Sequence, residues 1–194
     1  MARPREFDES AVLDAATHLF WNRGFEASSI RDLADRMGMT AASIYNAYGD
    51  KRALYKRVLE RYATDALGSC AIGLTRGASG MEAIESFFLM LANATASDPD
   101  RKGCLVVNAG VESAPHDAEF NQIVVDVFRQ LEALFRDCAS RGQIDGSVTR
   151  AQSAEDIARL LLGTMLGLRV LARTRPEPAL LTGVARATTA LLRP

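Results

Sequence analysis

The sequence predicts an all-α protein: an N-terminal three-helix unit holding a helix-turn-helix, then a larger helical domain, about nine helices in total. Three observations predict it. Apolar residues recur at spacings of three and four from Val12, Ala15, Ala16 and Leu19 to Leu180, Leu181, Val184 and Leu191, the period of an amphipathic helix. The β-prone pairs Val106-Val107 and Val124-Val125 sit inside longer helical periods. Residues 29–56 hold two short helical periods separated by a turn containing glycine, the pattern of a helix-turn-helix.

The elements follow in order. A helix over 9–22 carries the stripe Val12, Ala15, Ala16, Leu19 and Phe20 and ends at Gly24, with Trp21 expected against the helix-turn-helix. Ser29 is a good N-cap for a helix bearing Ile30, Leu33, Ala34 and Met37, because its hydroxyl accepts a bond from an orphan backbone N–H. Gly38 stops it, since the position past a helix end often needs positive φ. Thr40 caps a helix over 41–48, and Asp50 caps a long one reaching residue 74. The first turns of that helix (Leu54, Tyr55, Val58, Leu59) belong to the N-terminal core and its later part (Ala66, Leu67, Cys70) to the second domain. The expected division is therefore 1–54 and 55–194, joined by a rigid helix. Further helices are expected over 81–96, from residue 102 or 103 to 113, over 115–141 with Pro115 in its first turn and Gly142 closing it, over 154–172 and over 179–192.

The residues of the second short helix suit DNA. In a helix-turn-helix, that helix enters the major groove with its N-terminal residues against base edges. Thr40, Ala41, Ala42 and Ser43 allow close approach. Ala42 suits a thymine methyl, Ser43 a base or phosphate, and Asn46 an adenine. Tyr45 reaches a phosphate or a base edge, Ile44 and Tyr48 pack the helix, and Lys51 meets the phosphate backbone, a contact that positions rather than specifies. Ser29 and Arg31, at the start of the preceding helix, complete the candidate set. Arg3 and Arg5 precede the first helix and suit a minor-groove arm or a solvated tail.

The segment resembles the DNA-binding domain of the tetracycline-repressor (TetR) family over roughly residues 8 to 57. The family's Tyr-x-x-Phe-x-x-Lys-x-x-Leu run is matched by Tyr45, Tyr48 in place of Phe, Lys51 and Leu54, with Gly24-Phe25 and the 29–38 helix upstream. One departure is Ala47, where many members have His. The resemblance implies a transcriptional regulator, most often a homodimeric repressor released from a near-palindromic operator by a small molecule. An activator, or a thiol-based electrophile or redox sensor of the same fold, is the alternative.

Composition bounds the other readings. Of 194 residues, 48% are apolar and the formal net charge is −1. That supports a sizeable core and argues against general coating of nucleic acid, leaving the local field to decide. Locally Lys51, Arg52, Lys56 and Arg57 crowd the end of the helix-turn-helix. No apolar leader and no run long enough for a ~20-residue membrane span is present, so a cytoplasmic protein with no membrane partner is expected. Cys70, Cys104 and Cys138 are far apart and expected to be reduced thiols. Two histidines, 98 residues apart, and the absence of zinc, phosphate-loop or nucleophile-elbow motifs argue against an enzyme. No metal and no cofactor is expected. A helical adaptor without DNA binding is the remaining reading from another class.

The last two helices carry apolar residues on more than one face, so they are central to a core or buried by a partner. The family resemblance implies dimerisation through this pair, and Gly163 and Gly167, four apart, allow close helix approach. It also implies an effector pocket in the C-terminal domain, with Phe87, Phe88, Leu91, Val107, Val111, Phe128, Leu131, Met165 and Arg169 as candidate lining, joined by Met90. Each of these also suits an ordinary core. Arg169, inside an apolar helix, suits an anionic ligand, an acid across the dimer, or solvent. Cys104 follows Gly103 at a helix start, where thiol pKa falls, and is the candidate sensor thiol; Gly103-Cys104-Leu105-Val106-Val107-Asn108 is similar to a stretch in members thought to sense reactive molecules.

Overall fold

The computed structural model describes residues 8–194; the candidate arm at Arg3 and Arg5 lies outside them. Within them nine α-helices and one 3-10 turn follow in order and no strand occurs.

Asp8 caps α1 (Glu9–Arg23), its carboxylate accepting from the backbone N–H of Ser10 and Ala11. Ser29 caps α2 (Ile30–Met37) in a closed capping box: its Oγ accepts from Asp32 N at 3.1 Å, and the Asp32 carboxylate accepts from Ser29 N at 3.0 Å. Both orphan donors are thereby satisfied. Gly38, at φ 63°, ends α2 in the left-handed region. Thr40 Oγ1 accepts from Ser43 N and starts α3 (Ala41–Tyr48). Ile44 is fully buried and is the one buried residue of α3, so it anchors the helix, helped by half-buried Tyr48, while Ala41, Ala42, Tyr45 and Asn46 stay open.

Asp50 caps α4 (Lys51–Leu74), which runs without interruption from the helix-turn-helix into the C-terminal domain. Its Tyr55 is fully buried at the junction, with ring centroids 4.9 Å from Phe20, 4.8 Å from Phe25 and 5.1 Å from Phe120. One aromatic cluster thus joins α1, the turn after it, α4 and α7 (Ala118–Asp145). Burial pushes the Tyr55 phenol up to about 12. The remaining helices are α5 (Gly80–Ala96), α6 (Leu105–Glu112), α8 (Ala154–Thr174) and α9 (Pro178–Ala190). α7 packs on α4, α5 and α8, and α9 lies across α5 and α8. The second core centres on Phe87, Phe88 and Phe135, whose rings meet at 5.4–5.8 Å.

Three boundaries differ from the sequence reading. α6 begins at Leu105, because Arg101 and Gly103 take positive φ of 51° and 69° and cannot lie in a right-handed helix. Pro115 stands in the separate 3-10 turn Ala114–His116, and Asp117 caps α7 by accepting from Glu119 N and Phe120 N. Gly142 does not close α7. It lies inside the helix, where a Cβ on the facing Gly80 would collide with its backbone, so the two glycines let α5 and α7 touch. The helix ends at Gly146, at φ 81°.

Candidate nucleic-acid interface

The local rules that form α2 and α3 also decide what they present. Leu33, Ala34 and Met37 on α2 and Ile44 on α3 turn inward. Ser29, Arg31, Thr40, Ala41, Ala42, Tyr45 and Asn46 are exposed, and Ser43 is half-buried. Tyr45 is 52% exposed although it is aromatic. Of the predicted contact residues, Ala41, Ala42, Tyr45 and Asn46 therefore share one open face of α3. Ser43 Oγ lies 2.9 Å from Thr40 Oγ1, so one hydroxyl orients the other. Asp32 is held below the usual carboxylate range, chiefly by its bonds from Ser29 and then by Arg23, whose Nη1 is 3.0 Å from Oδ1.

Lys51 stands differently from expectation. Its Nζ donates to the Phe25 carbonyl at 3.0 Å and sits 4.3 Å above the Phe25 ring. It ties the turn after α1 to the start of α4. Tyr48 is half-buried in the same region and packs on the core. The basic crowd after α3 is likewise neutralised. Arg52 pairs with Asp117 and Glu119, Lys56 with Glu119, and Arg57 with Glu9. These cations join helices; among the described residues, the open positive charge on this side is Arg31 and Arg36 of α2.

The C-terminal domain contains a cavity of about 410 Å³ between α1, α4, α5 and α8, lined among others by Trp21, Tyr62, Cys70, Phe87, Met90, Leu91 and Arg169. A second void of about 20 Å³ lies beside it, lined by Cys104, Val107, Phe128, Leu131 and Met165, and shares Ala66, Cys70 and Arg169 with it. Seven of the nine candidate lining residues thus fall on one space or the other: Phe87 and Leu91 on the larger, Val107, Phe128, Leu131 and Met165 on the smaller, and Arg169 on both. Phe88 does not: it is fully buried in the aromatic core. Val111 does not either, being 77% exposed on the outer face of α6. Burial pushes the Cys70 thiol up, against the pull of Arg169. Burial and the neighbouring Cys104 raise the Tyr62 phenol. Cys104 is buried and is the N-cap residue of α6, making no side-chain cap bond.

Trp21 corrects the reading that placed it against the helix-turn-helix. Its ring meets Tyr62 edge-on at 4.9 Å, and Lys102 Nζ lies 5.3 Å from its centroid. A side chain of α1 thereby forms part of the cavity wall of the other domain. Among the described residues no cluster of three His, Cys, Asp or Glu is placed to hold a metal ion, and no helix is long and apolar enough to cross a membrane.

Comparison with known proteins agrees with this geometry over both domains. Residues 12–58 match the family model of bacterial regulatory proteins, tetR family, and residues 80–188 match the tetracyclin repressor-like C-terminal domain. The chain belongs to the TetR family. It is 31% identical to the uncharacterized HTH-type transcriptional regulator YezE of Bacillus subtilis (strain 168), over 91% of this chain and 92% of that protein. It is 26% identical to the HTH-type transcriptional repressor ComR of Escherichia coli (strain K12), over 88% and 82%. Among solved structures, a cysteine mutant of the TetR family regulator CifR complexed with 26-bp operator DNA superposes with a TM-score of 0.87 at 26% identity, covering 98% of this chain and all of that one. This TetR-family chain is a DNA-binding transcriptional regulator of the helix-turn-helix type.

Proposed function

We propose that the protein is a homodimeric repressor whose hold on a near-palindromic operator is released when a small molecule enters the C-terminal domain. The observation that carries the reading is the face of α3: Ile44 alone is buried, and Ala41, Ala42, Tyr45 and Asn46 stand open together. Residues 1–54 serve DNA and residues 55–194 the effector and the dimer, with α4 crossing the division.

Three features support the dimer. Gly163 and Gly167 on α8 and Gly183 on α9 have open space where a Cβ would stand. Leu160 and Val170 of α8 are 43% and 48% exposed, large apolar side chains left to water. A twofold pair also places two copies of α3 about one DNA turn (~34 Å) apart, the spacing that a near-palindrome presents. The effector role follows linkage: the molecule must bind the DNA-incompetent dimer more tightly. A cavity bounded by both α1 and α8 supports it.

Anisotropy on a duplex from upstream of the protein's own gene, over a salt series and beside unrelated duplex, tests the reading. Specific binding that falls steeply with salt and is lost in Tyr45→Ala is expected. A folded dimer that binds no DNA, including sequences selected from random pools, overturns it in favour of the adaptor.

A thiol-sensing form of the reading draws on Cys104, buried beside Arg169 at the inner void. Operator release by N-ethylmaleimide that disappears in Cys104→Ser is its expected signature.

A further inference from the structure

Two buried hydrogen-bond donors line the 410 Å³ cavity and neither has an acceptor among the described residues: Trp21 Nε1 and Arg169 Nε. Buried polar groups are nearly always satisfied, so a pair left open on one cavity calls for an explanation. Arg169 also forms no ion pair among the described residues. The two groups are alike in kind. An indole N–H and a guanidinium donate and do not accept, and one carries a permanent positive charge. What is missing is therefore an acceptor, and a negative one suits the site best. The apolar part of the wall is Phe87, Met90 and Leu91, beside the Tyr62, Ser69 and Cys70 side chains. Asp65 lines the same cavity but is exposed to solvent, so it stands toward the mouth. A carboxylate there repels a second negative charge on an occupant.

We propose that this cavity binds an amphipathic monocarboxylate. The carboxylate takes the Arg169 guanidinium and the Trp21 indole N–H, and an aryl or alkyl body lies against Phe87, Met90 and Leu91. Guanidinium and carboxylate match in planar, two-bond geometry, and the volume lies within the range of small-molecule sites. The proposal deepens the reading of a ligand-released regulator, and its effector role rests on that reading. Because Trp21 belongs to α1 and Arg169 to α8, one carboxylate would bridge the DNA-binding unit and the C-terminal domain.

Trp21 is the only tryptophan, so its fluorescence reports on the site in the full-length protein without DNA. The probes are 4-phenylbutyrate and decanoate, each titrated beside its primary amide, which has the same body and no charge. Saturable binding of at least one acid, about tenfold or more tighter than its amide, is expected from a charge-assisted hydrogen bond. Arg169→Met is expected to erase that preference with the thermal midpoint checked in parallel, and Arg169→Lys to restore part of it, since it keeps the charge and loses the fork. Equal binding of acid and amide, or saturation by none of the four probes at millimolar concentration, overturns the proposal even where Arg169→Met fails to fold. Operator release is read separately by anisotropy. Binding of the acid without release leaves the site standing and overturns its role as effector pocket.

Discussion

Arg52 of α4 holds Asp117, the N-cap residue of α7, through two hydrogen bonds: Nε donates to Oδ2 at 2.6 Å and Nη2 to Oδ1 at 2.9 Å. The same carboxylate accepts from Glu119 N and Phe120 N. One side chain thus starts a 28-residue helix and fastens it to the helix that carries the DNA-binding unit. Asp117→Ala removes both functions and is expected to lower stability by about 1–2 kcal/mol, mostly through the lost cap. Asp117→Asn keeps a capping acceptor and loses the charge, so its cost is expected to be smaller. Urea unfolding of the two variants beside the parent, with an unchanged slope, checks the order.

Acid is expected to loosen the same junction. The Arg52 guanidinium holds Asp117 below the usual carboxylate range, and Lys56 followed by Arg52 does so for Glu119. The unfolded chain therefore binds these protons at higher pH than the native one, and stability rises with pH across the interval. The contribution is present above the ordinary carboxylate values, near pH 4, and fades as pH falls through the lowered native ones. The Glu119 pairs are about half exposed and Asp117 less so, so salt is expected to weaken the Glu119 part most. In Asp117→Asn/Glu119→Gln, the slope of stability against pH between about pH 5 and 2 is expected to flatten; an unchanged slope assigns acid sensitivity elsewhere.

On DNA, Asn46 and Arg31 are expected to fail differently. Asn46→Ala is expected to cost about 1–3 kcal/mol on the operator and little on unrelated duplex, as loss of a base contact does. Arg31→Ala is expected to weaken both duplexes alike and lower the salt slope by about 1, the mark of one lost phosphate contact. Anisotropy over a salt series separates the two.

Glycines on the two long helices of the C-terminal domain are expected to divide by what faces them. Gly80→Ala drives a methyl group into the Gly142 backbone and is expected to cost about 1–3 kcal/mol, as overpacking does. Gly167 faces open space, so Gly167→Arg is expected to leave the thermal midpoint of the chain's own fold little changed while sedimentation shifts from dimer to monomer. A dimer that survives moves the interface off this face of α8.

The legible parts of this protein are the ones written by near neighbours. Ser29, Gly38, Thr40 and Asp50 announce helix ends because a cap is satisfied within three or four residues. The exposed contact set on α3 follows from the same local phase once Ile44 is turned inward. What stayed hidden depends on residues far away in the chain. Arg52 and Lys56 read as a basic patch because Asp117 and Glu119, their partners, lie more than sixty positions on. Trp21 reads as N-terminal packing because nothing near it announces Tyr62. Phe88 and Val111 read as cavity lining for another reason: α5 and α6 are apolar around much of their circumference, so period alone cannot say that Phe87 lines a cavity, Phe88 fills the core and Val111 faces water.

The unbroken run of α4 has a geometric consequence. Its 24 residues span about 36 Å at 1.5 Å per residue. A tilt of about 5° around its Leu74 end would carry its Lys51 end sideways by about 3 Å over that length. In the proposed twofold pair the two displacements add to about 6 Å, set against a groove-to-groove interval of ~34 Å that DNA holds fixed. The two copies of α4 then behave as the legs of a pair of dividers: a ligand need only turn the screw near the hinge, and the points no longer meet the marks.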